Sequence, residues 1–271
     1  MITLKLGDAT QSLFYPADPV DLILFDPPYV PLIHTYEQRN HHKDKVTGKW
    51  VPPAHQLESI PTPVIEDYPA FWRMVCWECM KRLKPTGWFI FKADDFTNNE
   101  LYPITKEYFN FFRKSPCWDK KMFGIGTGIR NQHENLIIYR PIDFEHSYFA
   151  DRTGFSSVQY YELPEESLMK MVGDVVAPNF NRGRFGKIKQ QDHINQTPPQ
   201  IWEPYLTQFC PPDGLVLDPT MGSGSVGLAL KHLNRLHHYT RSYWGIELTQ
   251  TSYDMAQTSL NPNTILTDLI L

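Results

Sequence analysis

Two short runs of apolar residues, each ending in an Asp-Pro pair, constrain the fold of this chain most strongly. The first run is "LILFDPPY" at 22–29 and the second is "LVLDPT" at 215–220. Neither run alternates apolar with polar residues, so we expect both to be strands that are buried on two faces. Such strands belong to a mainly parallel sheet, whose ligands bind beyond the carboxyl ends of the strands. Both aspartates are therefore expected at the ligand-binding edge.

The rest of the chain continues the alternation of strands and helices. Further strands are predicted at 2–6, 88–93, 135–140 and 243–248, and helices at 67–83, 200–209, 225–236 and 251–260. This order predicts an α/β fold with a doubly wound, mainly parallel sheet. Residues 31–66 are polar and read as a long loop of the kind that is usually functional or mobile. The periodicity also weakens between 141 and 192, where we expect a small insertion.

The composition of the 271 residues excludes several classes of protein. The formal net charge is −4, so a surface that binds nucleic acid must be a local patch. No apolar run approaches the roughly 20 residues of a spanning helix, and the start of the chain has no signal-peptide pattern. The four cysteines lack a regular framework spacing, which favours a reducing compartment. We expect a cytoplasmic enzyme that does not associate with membranes.

A glycine-rich turn follows the second apolar run. Gly222, Gly224 and Gly227 satisfy the pattern G-x-G-x-x-G, and Glu247 ends the next predicted strand. Glycines let the backbone turn tightly and approach a ligand, while the acidic residue can accept the hydroxyl groups of a ribose. The pattern predicts a nucleoside-containing cofactor, which could be NAD, FAD or S-adenosylmethionine. Few residues follow this motif, whereas a dinucleotide enzyme would place its substrate half there, so the order disfavours NAD.

The turn Asp26-Pro27-Pro28-Tyr29 ends the first run with a carboxylate, two rigid residues and an aromatic ring. Proline fixes φ and has no N–H, so the turn presents its carbonyl oxygens in set directions. Asp26 and the Pro27 carbonyl could together accept both N–H groups of an exocyclic amine, and Tyr29 could stack on the attached ring. The turn therefore predicts a site for an amino-bearing planar ring.

Together these motifs resemble those of the S-adenosylmethionine-dependent methyltransferases that modify exocyclic amines of DNA bases. "DPPY" at 26–29 resembles their catalytic motif, and "DPTMGSG" at 218–224 is similar to their cofactor motif. The catalytic motif comes first, which is the circularly permuted order of the β group. Further similar segments are "LGDATQSL" at 6–13, "LKPTGWFIF" at 83–91, "WDKKMFGIGTGIRNQHENLIIY" at 118–139 and "HINQTPPQIWEPYL" at 193–206. The last is usually written with Thr-Gln-Lys-Pro and here reads Asn-Gln-Thr-Pro, without the lysine.

The resemblance implies a Rossmann-like class I methyltransferase fold with S-adenosyl-L-methionine as cofactor and no metal. The implied cofactor-binding residues are Asp8, Asp218, Pro219, Gly222, Ser223, Gly224 and Glu247. In this set Asp8 would contact the adenine, Glu247 the ribose, and Asp218 with the glycine turn the methionine part. The implied catalytic residues are Asp26, Pro27, Pro28 and Tyr29. They would hold a flipped base for direct methyl transfer, without a covalent enzyme intermediate.

Basic residues outside the best-matched motifs are candidates for contacts with DNA. These are Lys43, Lys45 and Lys49 in the long loop, Arg130 and His133 in the glycine-rich segment, and Arg182, Arg184, Lys187 and Lys189 further along. Contacts with phosphates would position the protein on DNA, and the loop lysines could also belong to a lid over the flipped base. Cys117 and the pair Cys76 and Cys79 are interpreted as structural.

The predicted organisation is a catalytic half at 1–140, a target-recognition segment at 141–192 and a cofactor-binding half at 193–271. The predicted substrate is adenine N6 in double-stranded DNA, and the enzyme is expected to be bacterial or phage-encoded. Cytosine N4 and adenine in RNA stay open as targets. An NAD-dependent oxidoreductase and a non-catalytic DNA-binding module are alternatives of a different class. A homodimer and a cognate restriction endonuclease are partners that the sequence leaves open.

Overall fold

A computed structural model describes residues 1–28, 65, 67–112, 115–119, 133–144 and 197–261, together with short strands elsewhere. Its centre is a nine-stranded sheet. Five neighbouring strands are parallel, in the order β1 (Ile2–Leu6), β13 (Ser242–Glu247), β12 (Leu215–Asp218), β2 (Val20–Phe25) and β5 (Leu83–Ala93). The parallel strands come from both ends of the chain, so the sheet joins the two predicted halves.

The far side of the sheet is mixed in direction. β8 (His133–Pro141) runs antiparallel to β5, and β6 (Phe109–Phe111) and β7 (Cys117–Asp119) both pair with β8. β11 (Val175–Val176) then pairs with β7. Outside this sheet, β3 (His42–Lys43) pairs with β4 (Trp50–Val51), and β9 (Gln159–Tyr161) pairs with β10 (Met169–Met171).

Helices cover both faces of the sheet in the described part of the chain. They are α1 (Tyr68–Arg82), α2 (Asp95–Thr105), α3 (Glu203–Phe209), α4 (Ser225–His237) and α5 (Gln250–Leu260), with 3-10 turns at Ser12–Phe14 and Pro199–Ile201. Ile23 and Phe25 face a core shared with α1 and α2, whereas Leu22 and Leu24 face a core shared with α3, α4 and α5. The predicted doubly wound, mainly parallel sheet is therefore confirmed. None of these helices is long and apolar enough to cross a membrane.

A layer of aromatic side chains packs beneath the end of β2. The Trp72 ring lies 5.0 Å from the Phe91 ring, and Phe91 stacks on Tyr139 at 5.8 Å between centroids. The indole N–H of Trp72 donates a hydrogen bond of 2.8 Å to Thr105 Oγ1, which connects α1 to α2. Large buried rings contribute most of the apolar area in such cores, at about 25 cal/mol per Å². This packing holds Phe25, the last residue of β2, and so fixes the position of the turn that follows.

Two local features differ from the sequence prediction. The helix predicted to continue to Leu83 ends at Arg82, and β5 begins at Leu83 instead of Trp88. The early part of β5 pairs irregularly with β2, because the register shifts between Val20 and Leu22. Helix α2 is absent from the elements predicted from the sequence, and it contains Pro103, a residue that disfavours the interior of a helix. Its start is nevertheless marked by Asp94, whose carboxylate accepts a hydrogen bond from Thr97 N at 2.7 Å.

A histidine–carboxylate pair joins α3 to α4. Nδ1 of His232 lies 2.7 Å from Oε1 of Glu203. The hydrogen bond to Glu203 raises the pKa of His232 above its usual value, although partial burial acts in the opposite direction. The pair therefore stabilises the fold fully below the pKa of histidine in the unfolded chain. That stabilisation is lost as the pH rises through the higher pKa of the folded state.

Replacing His232 with glutamine is expected to lower the free energy of unfolding by about 1 kcal/mol in mildly acidic buffer and by less in alkaline buffer. Urea unfolding followed by circular dichroism at the two pH values measures this difference. Glu203→Gln should reproduce the pattern because it removes the other partner. An equal loss at both pH values would show that packing, and not the charge of the pair, connects the helices.

Candidate functional site

The carboxyl ends of the parallel strands meet at one edge of the sheet and carry acidic residues. Asp218 ends β12, Glu247 ends β13, and Asp26 directly follows β2. Asp8 lies just beyond β1, whose last residue pairs with Glu247. Because β8 runs antiparallel, its first residues reach this edge as well. The predicted catalytic and cofactor residues that are described are thus brought together.

The two carboxylate oxygens of Asp26 have different surroundings. Oδ2 accepts a hydrogen bond from Thr197 Oγ1 at 2.9 Å and lies 2.9 Å from Nζ of Lys92. Oδ1 is buried and accepts no hydrogen bond from any described residue. A buried carboxylate oxygen without a donor is costly to a folded protein. Oδ1 is therefore a position where a donor group of a ligand would be favourable.

The three backbone carbonyls of the turn at 26–28 differ in the same way. Thr220 Oγ1 donates a hydrogen bond of 3.0 Å to the carbonyl of Asp26, and the hydroxyl of Tyr68 donates to the carbonyl of Pro28. The Pro27 carbonyl accepts no such bond from the residues that the structure describes. Among the residues that the structure describes, the acceptors of this turn without a hydrogen-bond donor are therefore Asp26 Oδ1 and the Pro27 carbonyl.

A buried ion cluster stands behind Asp26. Lys92, near the end of β5, forms ion pairs with both Asp26 and Glu134. Glu134 is the second residue of β8. The side chains of Lys92 and Glu134 are only 3% and 8% exposed. The ammonium group also lies 5.4 Å from the centroid of the Trp118 ring. Buried charges such as these are stable only when ion pairs and hydrogen bonds within the cluster offset the cost of removing them from water.

The electrostatics of Asp26 reflect these neighbours. Burial raises the pKa of its carboxyl above the usual value, and the negative charge of Glu134 adds to that rise. The positive charge and hydrogen bond of Lys92, together with the hydroxyl of Thr197, lower the same pKa. Lys92 is the cation among the groups acting on Asp26 and therefore favours the ionised form, which accepts hydrogen bonds.

The glycine-rich turn between β12 and α4 leaves space for a ligand. Gly222 has φ +53°, and a Cβ built there would have no atom of the described residues within 4 Å. Gly224 has φ +88° and packs against Leu260, so it serves the turn itself and its contact with α5. Gly227 packs in the same way, since a Cβ there would lie 2.8 Å from Leu260 Cδ1. Only Gly222 therefore faces open space among these three glycines.

Asp218 is buried beside this turn. Its Oδ2 accepts a hydrogen bond of 2.9 Å from the hydroxyl of Tyr243, while Oδ1 is buried without a hydrogen-bond partner among the described residues. Burial raises the pKa of the Asp218 carboxyl well above its usual range, and the hydrogen bond from Tyr243 opposes that rise. The neighbouring Pro219 and Ser223 are buried too. Asp218 thus offers a second unpaired acceptor at the edge of the sheet.

Glu247 holds the glycine turn from the next strand. Its Oε2 accepts a hydrogen bond from Gly222 N at 3.0 Å, and its Oε1 accepts from Thr249 N at 2.9 Å and from Thr249 Oγ1 at 2.7 Å. Two carboxylate oxygens have about four acceptor positions, so one remains for a ligand. Asp8 accepts a hydrogen bond of 2.8 Å from Thr10 N, which fixes the turn after β1.

The other predicted site residues fall in different places. His133 lies at the start of β8, where its Nε2 is 3.6 Å from Oδ2 of the exposed Asp95. Lys43 belongs to β3, and its side chain is outside the described atoms. The remaining predicted residues lie outside the described residues: Tyr29, Lys45, Lys49, Arg130, Arg182, Arg184, Lys187 and Lys189. Cys76 and Cys79 lie on α1 and are buried in the hydrophobic core, where burial raises the pKa of both thiols.

Sequence reasoning missed several residues around Asp26: Lys92, Glu134, Thr197, Thr220 and Tyr68. One signal was present, because Lys92 interrupts the apolar strand "WFIFKA" and a charge in a buried strand needs a partner. Its partner Glu134 could not be identified, since the two residues meet only through the pairing of β5 with β8. Thr197 lies in the segment that lacks the family lysine, and its hydroxyl contacts Asp26.

Comparison with known sequences gives a consistent set of relatives. A family model described as DNA methylase matches residues 20–258. The type II methyltransferase M.BglII of Bacillus subtilis is 24% identical, and the match covers 92% of this chain and 66% of that protein. The type II methyltransferase M.HinfI of Haemophilus influenzae is 25% identical, with 97% and 70% covered. This chain thus spans only part of the length of its curated relatives.

Two solved structures align with nearly the whole chain. The complex of M1.HpyAVI with SAM gives a TM-score of 0.58 at 17% identity and covers 96% of this chain and 100% of that chain. The PvuII DNA methyltransferase, described as cytosine-N4-specific, gives a TM-score of 0.59 at 13% identity and covers 97% and 88%. At these identities the likeness is evidence for the fold.

Proposed function

Because this chain belongs to the DNA methylase family, we propose that it transfers a methyl group from S-adenosyl-L-methionine to the N6 amine of adenine in DNA. The observation that carries this proposal is the pair of open acceptors at Asp26 Oδ1 and the Pro27 carbonyl. An exocyclic amine on a base offers two N–H donors, which matches two acceptors. The other acceptors of the turn already receive hydrogen bonds from Thr197, Thr220 and Tyr68.

The residues at the glycine turn fit S-adenosyl-L-methionine. The unpaired, buried Oδ1 of Asp218 can accept a hydrogen bond from the methionine part, and Gly222 leaves room for that part beside the backbone. The remaining acceptor position of Glu247 suits a hydroxyl of the cofactor's ribose. Asp8 lies beyond the neighbouring strand at the same edge and would contact the cofactor's adenine. When bound, S-adenosyl-L-methionine supplies a methyl group on a positively charged sulfur.

The chain's own contribution to the reaction is orientation and electrostatics. The lone pair of the amine is delocalised into the ring, which makes the nitrogen a poor nucleophile. Hydrogen bonds from its two N–H groups to Asp26 and Pro27 would favour tetrahedral geometry at nitrogen and turn the lone pair toward the methyl group. An amine inside a duplex cannot reach these acceptors, so the base must be flipped out, with Tyr29 as the proposed stacking partner.

Adenine is favoured over cytosine by the resemblance alone, since the first residue of the motif is Asp26. Cytosine N4 is the second candidate because its amine also offers two donors to the same pair of acceptors. The likeness to the PvuII methyltransferase, which is described as cytosine-N4-specific, supports retaining this candidate.

The domain division belongs to the same proposal. We assign 1–140 to catalysis, 193–271 to the cofactor and 141–192 to recognition of the DNA sequence. The last segment is short for that task, so a second copy of the chain is a proposed partner. A cognate restriction endonuclease is proposed from the type II relatives, and a cytoplasmic, bacterial or phage setting is proposed with it.

The test is incubation of the protein with labelled S-adenosyl-L-methionine and unmodified double-stranded DNA, followed by mass spectrometry of the digested nucleosides. We expect N6-methyladenine at a defined sequence. Detection of N4-methylcytosine instead would show that cytosine is the target. Label found only in a parallel reaction with RNA would show that RNA, and not DNA, is the substrate. Binding of S-adenosyl-L-methionine without transfer to either nucleic acid would overturn the catalytic role. Preferential binding of NAD would overturn the cofactor.

A further inference from the structure

Among the described residues, the carboxylate of Asp26 is held through one of its two oxygens, Oδ2. The donors to Oδ2 come from two separate elements: the ammonium of Lys92 on β5 and the hydroxyl of Thr197 ahead of the 3-10 turn at Pro199–Ile201. Oδ1 receives no hydrogen bond from the described residues. A carboxylate held in this way is fixed in orientation, while its other oxygen is buried without a donor among these residues.

We propose that Lys92 is a positioning residue for Asp26, and that Glu134 holds the Lys92 ammonium where it anchors Oδ2 and leaves Oδ1 for the amine of the base. This inference rests on the proposed function of the turn at 26–28. Lys92 itself does not contact the base in this assignment, because its ammonium lies between two carboxylates and over the Trp118 ring. It acts on the reaction through Asp26.

The charges around Asp26 show why a cation is required there. Glu134 faces it from β8 and Asp218 lies on the neighbouring β12, so the carboxylates around this turn repel one another. Tyr68 on α1 and Thr197 are neutral hydrogen-bonding groups. Lys92 supplies the opposite charge among the described groups that act on Asp26. Without it, two buried carboxylates would stand together, and one of them would take up a proton.

The same two strands carry a second Lys–Asp pair, which serves as a matched control. Nζ of Lys84 lies 2.8 Å from Oδ1 of Asp21, at the amino ends of β5 and β2. This pair is far along the strands from the turn, and Lys84 is 40% exposed, whereas Lys92 is 3% exposed. Loss of the lysine charge on β5 can therefore be compared at the two ends of one strand pair.

The first experiment measures the titration of Asp26 directly. Carbon-13 label in the aspartate carboxyls, with the Asp26 signal assigned through its loss in Asp26→Asn, follows this group by NMR from acidic to alkaline pH. We expect the pKa of Asp26 to be higher in Lys92→Met than in the wild type, because an attractive charge is lost. We expect it to be lower in Glu134→Gln, because a repulsive charge is lost, and unchanged in Lys84→Met.

The second experiment measures single-turnover methyl transfer against pH. Lys92→Met should be slower by about 10- to 100-fold at neutral pH, with its acid limb moved to higher pH. Glu134→Gln should move the acid limb to lower pH, and Lys92→Arg should recover part of the lost rate because it keeps the charge. Calorimetric affinity for S-adenosyl-L-methionine should stay the same in all of them, since none contacts the glycine turn.

The two experiments separate failure of this inference from failure of the proposed function. Identical Asp26 titration in the wild type, Lys92→Met and Glu134→Gln would overturn the role of Lys92, whatever the activity. An altered titration with Lys92→Met as fast as Lys84→Met would also overturn it. If the wild type methylates no base, the proposed function fails while the titration still tests the anchoring. Should Lys92→Met not fold, Lys92→Met/Glu134→Gln keeps the net charge of the cluster, and the inference then requires slow transfer from that folded double variant.

Discussion

Replacing Asp26 with alanine is expected to slow methyl transfer by about 1,000-fold and to leave the affinity for S-adenosyl-L-methionine nearly unchanged. The substitution removes Oδ1, one of the two acceptors for the amine, so the nitrogen loses the contact that orients its lone pair. It leaves the glycine turn intact, because the link from Thr220 is made to the Asp26 backbone carbonyl and not to the side chain. Single-turnover rates and calorimetry measure the two quantities separately.

The matched control for this substitution is Asp21→Ala on the same strand. Asp21 binds Lys84 and Leu215 N at the amino end of β2, so its loss should reduce stability without slowing transfer by the folded protein. Asp26→Asn adds a further comparison, because it keeps the size of the side chain and removes the charge. Wild-type rates in Asp26→Ala would remove the carboxylate from the mechanism.

Replacing Glu247 with alanine is expected to weaken the binding of S-adenosyl-L-methionine by about 100-fold, which corresponds to the loss of one or two hydrogen bonds to a charged group. The carboxylate would lose its proposed contact with the ribose. Its hydrogen bonds to Gly222 N, Thr249 N and Thr249 Oγ1 would be lost as well, so the glycine turn would be less fixed. Calorimetric titration with the cofactor measures the change.

Glu247→Gln should restore little of this affinity. A glutamine keeps one acceptor oxygen but places its NH₂ group against either Gly222 N or Thr249 N, and a donor cannot bind a donor. Glu203→Ala is the control, because Glu203 is also partly buried and paired, but its pair with His232 joins α3 to α4. Equal cofactor affinity in Glu247→Ala and Glu203→Ala would contradict a role for Glu247 in the cofactor site.

The parts of the fold that could be predicted are those with local signals. The apolar run before Asp26 and the glycines after Asp218 indicate buried strands and a tight turn without knowledge of their neighbours. The predicted Rossmann-like class I methyltransferase fold is confirmed by the sheet and by the solved structures that align with it. The resemblance to amino-methyltransferases of DNA is confirmed by the match to the family model.

The parts that could not be predicted depend on contacts between distant segments. Lys92 and Glu134 are brought together by an antiparallel pairing that no local pattern specifies. Thr197 reaches Asp26 from a segment 171 residues away in sequence. The assignments of individual site residues to cofactor, base and DNA stay predictions, and those at 182–189 lie outside the described residues.

The sheet order has a consequence for how the chain is made. Ile2 of β1 pairs with Tyr243 of β13, and Leu22 of β2 pairs with Val216 of β12, so these neighbouring strands come from segments that are far apart in the sequence. On the ribosome, β1 lacks its neighbour β13, and β2 has β5 beside it but lacks β12, until residues 215–247 have been synthesised. Closing such long loops makes folding slow and exposes the chain to aggregation. Assembly of the edge that carries Asp26, Asp218 and Glu247 therefore cannot precede the synthesis of β13.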